Sequence, residues 1–241
     1  MRRGSPKFMV FLCPASVAVV IAGMVFSGCG KAKEPKTALK EATVKGATTL
    51  PPPDTGGGIP LNEALGRRRS RRDFADKDLE LKTVSQLLWA AQGVTEPSSG
   101  FRTAPSAGAL YPLEVFVLEK ENLYRYLPAS NSIETVSRGV DTDRLADAAA
   151  GQTFVAEAPV VIIIGAVFER TRAKYGERAD RYVHMEAGHA AQNLLLEAVS
   201  LGLGAVPVGA FYDKEVSKIL GLPADVGPLY LIPVGYPGGS H

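Results

Sequence analysis

Five arginines and one serine occupy the six positions from Arg67 to Arg72, in a chain whose charges are otherwise nearly balanced. An arginine side chain presents a planar fork of N–H donors that matches phosphate oxygens, and Ser70 adds a hydroxyl donor. A solvated helix face would more naturally mix lysine with acidic residues at helical spacing. The segment therefore indicates a bound phosphate, with a charged surface helix and a nucleic-acid patch as the alternatives.

A loop of small residues spans positions 103–112, with the sequence Thr-Ala-Pro-Ser-Ala-Gly-Ala-Leu-Tyr-Pro. Small side chains let the backbone approach a flat ligand, and the backbone amides can then bond its heteroatoms. The segment 207–211 is a second candidate contact surface of this backbone-rich kind. A plain surface loop is the alternative for residues 103–112.

Lys174 and Tyr175 are the candidate pair for acid–base chemistry. A lysine and a phenol serve as general acid and base only where burial or neighbours bring their pKa values towards the working pH. Arg172, Arg178 and Arg181 are close in sequence and would favour neutral lysine and ionised tyrosine. The alternative is an ordinary solvated pair.

Two other patterns could indicate a dinucleotide site and a metal site, but their spacing does not support either. The glycine-rich residues 202–207 follow a predicted helix and end at a proline, whereas a dinucleotide fingerprint follows a strand and opens a helix. His184 and His189 are five positions apart and so do not share one face of a helix. His184 and Glu186 match the His-x-Glu pattern of zinc deaminases, but the cysteine pair that such a site needs is absent from this part of the sequence. We therefore predict no Rossmann unit and no metal site.

The elements that position these residues alternate between helices and strands without a repeated βαβ rhythm, which predicts an α+β sandwich. Apolar residues at helical spacing predict a helix over residues 81–92, ending at Gly93. The uninterrupted apolar run 159–166 is typical of a strand covered on both faces. Further helices are predicted at 61–68, 143–150, 181–201 and 213–220, further strands at 113–119, 123–127 and 229–234, and a turn at 207–211.

The N-terminal residues have the layout of an export signal. Arg2, Arg3 and Lys7 precede an uncharged stretch, which closes with small residues immediately before Cys29. The layout resembles a bacterial lipobox, so we expect residues 1–28 to be a signal peptide and Cys29 to be lipidated. An uncleaved membrane anchor is the alternative. Residues 29–58 are rich in Lys, Pro and Gly and predict a flexible tether, followed by one domain over residues 59–241.

Composition narrows the classes of protein further. Of the 27 basic residues, three lie in the predicted signal, which leaves 24 against 25 acidic residues. A nearly neutral body argues against a nucleic-acid partner. The only cysteines are Cys13 and Cys29, so the predicted domain has no disulfide, thiol nucleophile or thiolate metal site.

Four segments taken in order resemble the nitroreductase-like flavin oxidoreductases. They are residues 68–74 (Arg-Arg-Ser-Arg-Arg-Asp-Phe), 105–112 (Pro-Ser-Ala-Gly-Ala-Leu-Tyr-Pro), 188–194 (Gly-His-Ala-Ala-Gln-Asn-Leu) and 202–209 (Gly-Leu-Gly-Ala-Val-Pro-Val-Gly). The second and third, together with residues 174–182, resemble the branch that contains azoline dehydrogenases, which oxidise thiazolines and oxazolines. The fold expected from this resemblance is an α+β nitroreductase-like sandwich, with a central mixed or antiparallel sheet flanked by helices.

The resemblance also implies a homodimer with two FMN molecules at the subunit interface, acting by hydride transfer at flavin N5. It implies that the phosphate and ribityl chain are held by Arg68, Arg69, Ser70 and Arg72. The isoalloxazine ring would be lined from the partner subunit by Pro105, Ser106, Ala107 and Gly108. Val208 and Gly209 would offer backbone amide contact near N5, and Lys174 and Tyr175 would be the acid–base pair.

The sequence departs from the family pattern in two ways. Ala109 stands where common nitroreductases carry an asparagine to the flavin ring, and the last residues, 237–241, contain no further arginine or lysine. We therefore expect phosphate binding to rest on the arginine cluster and the substrate preference to differ. Three readings remain: an exported FMN oxidoreductase, an azoline dehydrogenase of peptide maturation, and a flavin-binding protein without turnover.

Overall fold

A single antiparallel sheet of seven strands organises residues 46–239, which are the residues that the structure, a computed structural model, describes. The strands are β1 Thr48–Thr49, β2 Val94–Glu96, β3 Phe101–Arg102, β4 Leu113–Glu119, β5 Asn122–Leu127, β6 Ser132–Arg138, β7 Val160–Ala166, β8 Gly204–Ala205 and β9 Gly227–Gly235. The helices are α1 Leu61–Arg67, α2 Leu81–Gln92, α3 Thr142–Ala148, α4 Phe154–Glu157, α5 Glu169–Tyr175, α6 Ala179–Ser200 and α7 Asp213–Leu220.

The sheet runs in the order β1-β6-β5-β4-β7-β9-β8, and β2 pairs with β3 as a separate hairpin. Successive side chains of a strand point to opposite faces, so each strand feeds two cores. On one face, Ile162 and Ile164 pack with residues of α2 and α6. On the other, Val161 and Ile163 pack with residues of α3, α4 and α7. The α+β sandwich is thereby confirmed, with helices on both faces of an antiparallel sheet.

The strongest sequence patterns gave accurate elements. The predicted helices at 81–92 and 213–220 and the strand at 113–119 have the predicted bounds, and the apolar run becomes β7, which is buried throughout. Seven elements were missed, namely β1, β2, β3, β6, β8, α4 and α5. Of the two longest, β6 contains only two apolar residues, Ile133 and Val136, and α5 has one buried residue, Thr171, so neither shows a clear apolar period. No helix among residues 46–239 is long and apolar enough to cross a membrane.

The predicted boundary at Ile59 is wrong, because the preceding segment packs on the domain. β1 pairs with β6, Leu50 is buried, and the Pro51 carbonyl accepts a hydrogen bond from the Ser85 hydroxyl at 2.6 Å. The Asp54 amide and carbonyl both bond the Gln86 side chain. The ordered domain therefore includes residues 48–58, and the predicted signal, Cys29 and most of the tether lie outside the described residues.

The small residues of the long helix α6 pack inside their own subunit. Ala187, Ala190 and Ala191 are buried against the sheet of their own subunit, because they share a face with Val183 and Leu194. The exposed side of α6 carries Arg181, Met185, His189 and Gln192 instead. Any seam along this helix would thus use longer side chains.

Candidate active site

The arginine segment, residues 67–72, and the residues that follow it are fixed to the sheet edge at two points. At one end, Ser70 forms a parallel bridge with Ala205 of β8, and the Arg71 amide donates to the Ala205 carbonyl at 3.1 Å. At the other end, Phe74 pairs with Pro237, and the Ala75 amide donates to the Tyr236 carbonyl at 2.9 Å. The backbone is therefore held by main-chain bonds.

The side chains of this segment face outward. Arg68 is half-buried, and Arg69, Ser70, Arg71 and Arg72 are exposed. Arg69 donates to two carbonyls of its own turn, and the Arg72 guanidinium lies 5.7 Å from the centre of the Phe154 ring. None of the ion pairs formed between described residues uses Arg68, Arg69 or Arg72. This arrangement concentrates positive charge on a rigid surface.

A glycine makes the contact between this segment and β8 possible. A Cβ atom built on Gly204 would lie 2.9 Å from Cβ of Arg71 and 3.3 Å from its Cγ. Contacts that short would push the two backbones apart and break the Ser70–Ala205 pairing. Gly204 thus allows close packing of the arginine segment against β8.

The chain continues from Ala205 directly to the predicted backbone contact surface. Val208 exchanges two main-chain hydrogen bonds with Leu231 of β9, at 2.8 and 3.0 Å, and its side chain is buried. Its amide is thus already bonded inside the subunit, which contradicts the prediction that it offers this group to a ligand. Gly209 follows immediately and is exposed. The structure therefore brings the arginine segment and Gly209 to one sheet edge.

The small-residue loop forms a tight turn before β4. Ala107–Ala109 is one turn of 3-10 helix, and the Ala109 amide donates to the Ser106 carbonyl at 3.0 Å. Gly108, Ala109 and Tyr111 all have positive φ, at 62°, 54° and 47°. Left-handed backbone at two non-glycine residues costs free energy, so contacts elsewhere must hold the turn in place.

The predicted acid–base pair lies against this loop within the same subunit. Lys174 and Tyr175 end α5, and a Cβ atom built on Gly108 would lie 2.8 Å from both Lys174 Nζ and the Tyr175 hydroxyl oxygen. The Tyr175 ring packs edge-on to Tyr182, with ring centres 5.1 Å apart. Two segments 66 positions apart in sequence thus place an amine, a phenol and a bare backbone turn at one point.

Arg172 is ion-paired, which weakens the electrostatic role that the sequence suggested for it. Its guanidinium is bound by the carboxylates of Glu169 and Asp180, at 2.7 and 2.8 Å. Those two carboxylates hydrogen-bond the guanidinium and raise the pKa of Arg172. Because they balance its charge locally, Arg172 is no longer the unpaired cation that would act on Lys174 and Tyr175.

Glu186, which the sequence suggested only as a weak candidate metal ligand, is a buried acid behind the small-residue loop. It lies on the buried face of α6, and 3% of its surface is exposed. Burial raises its pKa to about 7, while the Ser106 side chain, the Arg102 charge and the Ala107 backbone act to lower it. Its spacing from Val183, Ala187 and Ala190 marks it as an acid on a core face, a signal that was readable in the sequence.

This pKa predicts how stability depends on pH. The unfolded chain loses the Glu186 proton at about 4.5, and the folded chain keeps it until about 7. Because the folded state binds more protons between these values, stability falls as pH rises from about 4.5 to about 7, by at most about 3 kcal/mol. We expect Glu186→Gln to raise the free energy of unfolding, relative to wild type, more at pH 8 than at pH 5.

Urea denaturation at both pH values measures this difference. Glu177→Gln, at an exposed glutamate of the neighbouring turn, is the control and should shift stability equally at both. A Glu186→Gln effect that does not depend on pH would contradict the prediction.

Comparison with known proteins agrees with this architecture. The model of the nitroreductase family matches residues 65–236. A protein of Methanocaldococcus jannaschii named as a nitroreductase is 48% identical over 183 residues, covering 73% of this chain and 91% of the relative. The microcin B17-processing protein McbC of Escherichia coli is 31% identical, covering 67% of this chain and 64% of McbC.

Solved structures give the same result. A nitroreductase structure from Ralstonia eutropha has a TM-score of 0.73 and 32% identity, covering 81% of this chain and 90% of that one. A chain of the E. coli microcin synthetase McbBCD complex with truncated pro-MccB17 has a TM-score of 0.62 and 29% identity, covering 79% of this chain and 78% of that one. On fold, family match and sequence identity together, the chain belongs to the nitroreductase family.

Proposed function

We propose that this protein is an FMN-dependent oxidoreductase. The observation that carries the proposal is the pairing of Ser70 and Arg71 with Ala205, which joins the arginine segment to the run ending at the exposed Gly209. A flavin mononucleotide has a doubly charged phosphate at one end and a flat, hydrogen-bonding ring at the other. The exposed guanidinium and hydroxyl donors fit the phosphate, and a bare backbone turn fits the ring.

In this proposal the phosphate and ribityl chain are held by Arg68, Arg69, Ser70 and Arg72, while Gly209 offers a backbone amide to the ring. Pro105, Ser106, Ala107 and Gly108 line the ring from the partner subunit. When bound, FMN supplies hydride transfer at N5 of its ring, and the protein supplies position and electrostatics. Lys174 Nζ and the Tyr175 hydroxyl, which meet at Gly108, donate or accept a proton on the substrate.

We propose that two copies of the chain assemble around the cofactor. α1 packs along α6, and the apolar side chains of Leu61, Leu65 and Met185 are about half exposed or more, at 65%, 50% and 48%. Burying such side chains against a second copy would stabilise a dimer.

The purified protein is expected to be a yellow dimer. Oxidised FMN absorbs visible light, so its absorbance measured during sedimentation reports cofactor content and oligomeric state together. Dilution below the dimer dissociation constant should release FMN, because the site needs both subunits. A colourless protein would contradict the cofactor, and a monomer holding one FMN would contradict the assembly.

A second candidate is azoline oxidation during peptide maturation. The observation that favours it is the convergence of Lys174 and Tyr175 on Gly108, together with the similarity to McbC, which is named as a microcin B17-processing protein. Anaerobic bleaching of the flavin by a thiazoline-containing peptide would support this function. A yellow protein that no reductant bleaches in a catalytic cycle would instead be a flavin-binding protein without turnover.

We also propose that the protein is exported and held at the membrane. This rests on the sequence of residues 1–28, with lipid on Cys29 and a tether up to the ordered segment that starts at Thr48. Fatty-acid labelling in cells should be lost in Cys29→Ser. Equal labelling of both proteins, or none in either, would contradict the lipid anchor.

A further inference from the structure

Arg170 joins the helix that carries the Lys174–Tyr175 pair to the small-residue loop. It lies on the first turn of α5, and its Nη1 atom donates a hydrogen bond to the Tyr111 carbonyl at 3.2 Å. Its Nη2 atom donates to the carboxylate of Glu114, with which it forms an ion pair. These two bonds are called the Arg170 bridge below. Because Tyr111 belongs to the loop and Glu114 to β4, the bridge connects α5 to the chain on both sides of the junction between loop and strand.

Tyr111 is a loop residue whose backbone needs support from other parts of the fold. Its φ is 47°, in the left-handed region that a non-glycine residue adopts at a cost in free energy. Its amide donates to the Ser106 Oγ atom at 2.8 Å, and the Arg102 guanidinium lies 4.3 Å from the centre of its ring. Arg170 supplies the bond to its carbonyl, and this bond connects the strained residue to α5.

The helix α5 buries little apolar surface of its own. It has seven residues, and Thr171 is its buried residue. The Val167 amide, just before the helix, donates to the Pro112 carbonyl at 2.9 Å, which fixes where α5 begins. A helix this short is marginal in isolation, so the orientation of the rest depends on its side-chain contacts. Arg172 fixes α5 to α6, and Arg170 fixes it to the loop and β4.

The acid–base pair lies at the other end of the same helix. Lys174 follows Arg170 by four residues and therefore lies on the same side of α5. Its Nζ atom and the Tyr175 hydroxyl oxygen each lie 2.8 Å from the Cβ position built on Gly108. The loop and α5 thus meet twice, at the Arg170 bridge and at Gly108.

We propose that Arg170 is a positioning residue, whose two hydrogen bonds hold the loop and α5 in the relative position that brings Gly108 to the acid–base pair. The inference rests on the proposed function for the meaning of this position. In that function the loop is a wall of the flavin site, and the pair exchanges a proton with the substrate.

Hydrogen exchange of the full chain tests the bridge without any substrate. In Arg170→Gln, peptides covering residues 103–112 and 169–175 should both exchange about tenfold faster than in wild type. This is the lower end of the effect expected for hydrogen bonds to a charged group, because 42% of the Arg170 side chain is exposed. Arg170→Lys keeps the charge but loses the planar fork of donors, so it should exchange as fast as Arg170→Gln. A peptide covering residues 160–166 of the central sheet should keep its wild-type exchange in both variants.

A double variant separates the two bonds of the bridge. The Glu114 side chain is 13% exposed, so its charge loses its partner in a largely enclosed place when Arg170 is replaced. If that lost partner were the whole effect, Glu114→Gln/Arg170→Gln would regain wild-type exchange. Because the bond to Tyr111 is lost as well, the double variant should still exchange fast over residues 103–112.

Arg172→Gln is the matched control. Arg172 lies two positions away on the same helix, and its partners Glu169 and Asp180 are outside the loop. This variant should leave residues 103–112 at the wild-type rate of exchange.

Flavin reduction gives an independent measurement. Arg170→Gln should keep its FMN and reduce it about tenfold more slowly with a hydride donor found by bleaching of the wild-type flavin. In a Lys174→Ala/Tyr175→Phe background, Arg170→Gln should slow reduction no further, because the bridge acts through the pair.

Wild-type exchange of residues 103–112 in Arg170→Gln, its recovery in the double variant, or equally fast exchange in Arg172→Gln would overturn the proposal. So would a further loss of rate in the background that lacks the pair. Fast loop exchange in Arg170→Gln of a protein that binds no FMN would refute the proposed function and retain the bridge. Bound FMN with wild-type exchange in Arg170→Gln would refute the bridge and retain the proposed function.

Discussion

Replacing Ser70 and Arg72 together by alanine is expected to lower FMN affinity by roughly 10²–10⁴-fold and to leave riboflavin affinity almost unchanged. Hydrogen bonds to a charged group contribute about 1.5–3 kcal/mol each, and about 1.4 kcal/mol corresponds to a tenfold change in affinity. Riboflavin has the same ring and ribityl chain without the phosphate. Isothermal titration of the apoprotein with both ligands measures the difference.

The structure explains why these substitutions spare the fold. Ser70 pairs with Ala205 through its backbone, and its side chain is exposed, so alanine keeps the pairing. Arg72 loses only its contact with the Phe154 ring, which at an exposed site contributes about 0.5–1 kcal/mol. Arg144→Ala removes an exposed arginine of α3 and is the control for net charge, with both affinities unchanged. Equal loss of both ligands in the double variant would show that the segment acts through folding.

Local patterns were sufficient wherever an element carries its own apolar period. The helix α2 and the strand β7 bury continuous apolar faces, and both were predictable within one residue. The segment 48–58 was not predictable, because its order depends on partners far along the chain. Asn131 bonds the carbonyl of Pro51, and Gln86 bonds Asp54, across separations of 80 and 32 positions. The composition of the segment does not reveal these distant hydrogen-bond partners.

The candidate site was also predictable only in part from the sequence. The motif resemblance selected the arginine segment, the loop and the Lys174–Tyr175 pair, and the structure brings the last two together at Gly108. A motif does not reveal which hydrogen-bond donors are already bonded to other residues within the fold. The Val208 amide donates a hydrogen bond to the Leu231 carbonyl, and Arg172 forms ion pairs with Glu169 and Asp180. Both facts follow from tertiary pairing alone.

Removing the acid–base pair is expected to slow chemistry without removing the cofactor. Lys174→Ala and Tyr175→Phe should each slow substrate-dependent flavin reduction by roughly 10²–10⁴-fold, the usual contribution of a positioned proton donor or acceptor. FMN content and dimerisation should remain, because neither side chain belongs to the arginine segment or to the exposed apolar face of α1 and α6. Candidate hydride donors are first screened by anaerobic bleaching of the wild-type flavin, and stopped-flow absorbance then gives the rates.

Two controls separate proton transfer from packing. Tyr182→Phe keeps the ring that packs on Tyr175 and removes only a neighbouring hydroxyl, so its reduction rate should match wild type. Lys218→Ala removes a lysine from the last turn of α7 and should also leave the rate unchanged. A proton-transfer role further requires that the pH profile of reduction change shape in Tyr175→Phe. Wild-type rates in both Lys174→Ala and Tyr175→Phe with an authentic substrate would show that the pair is only part of the surface beside Gly108.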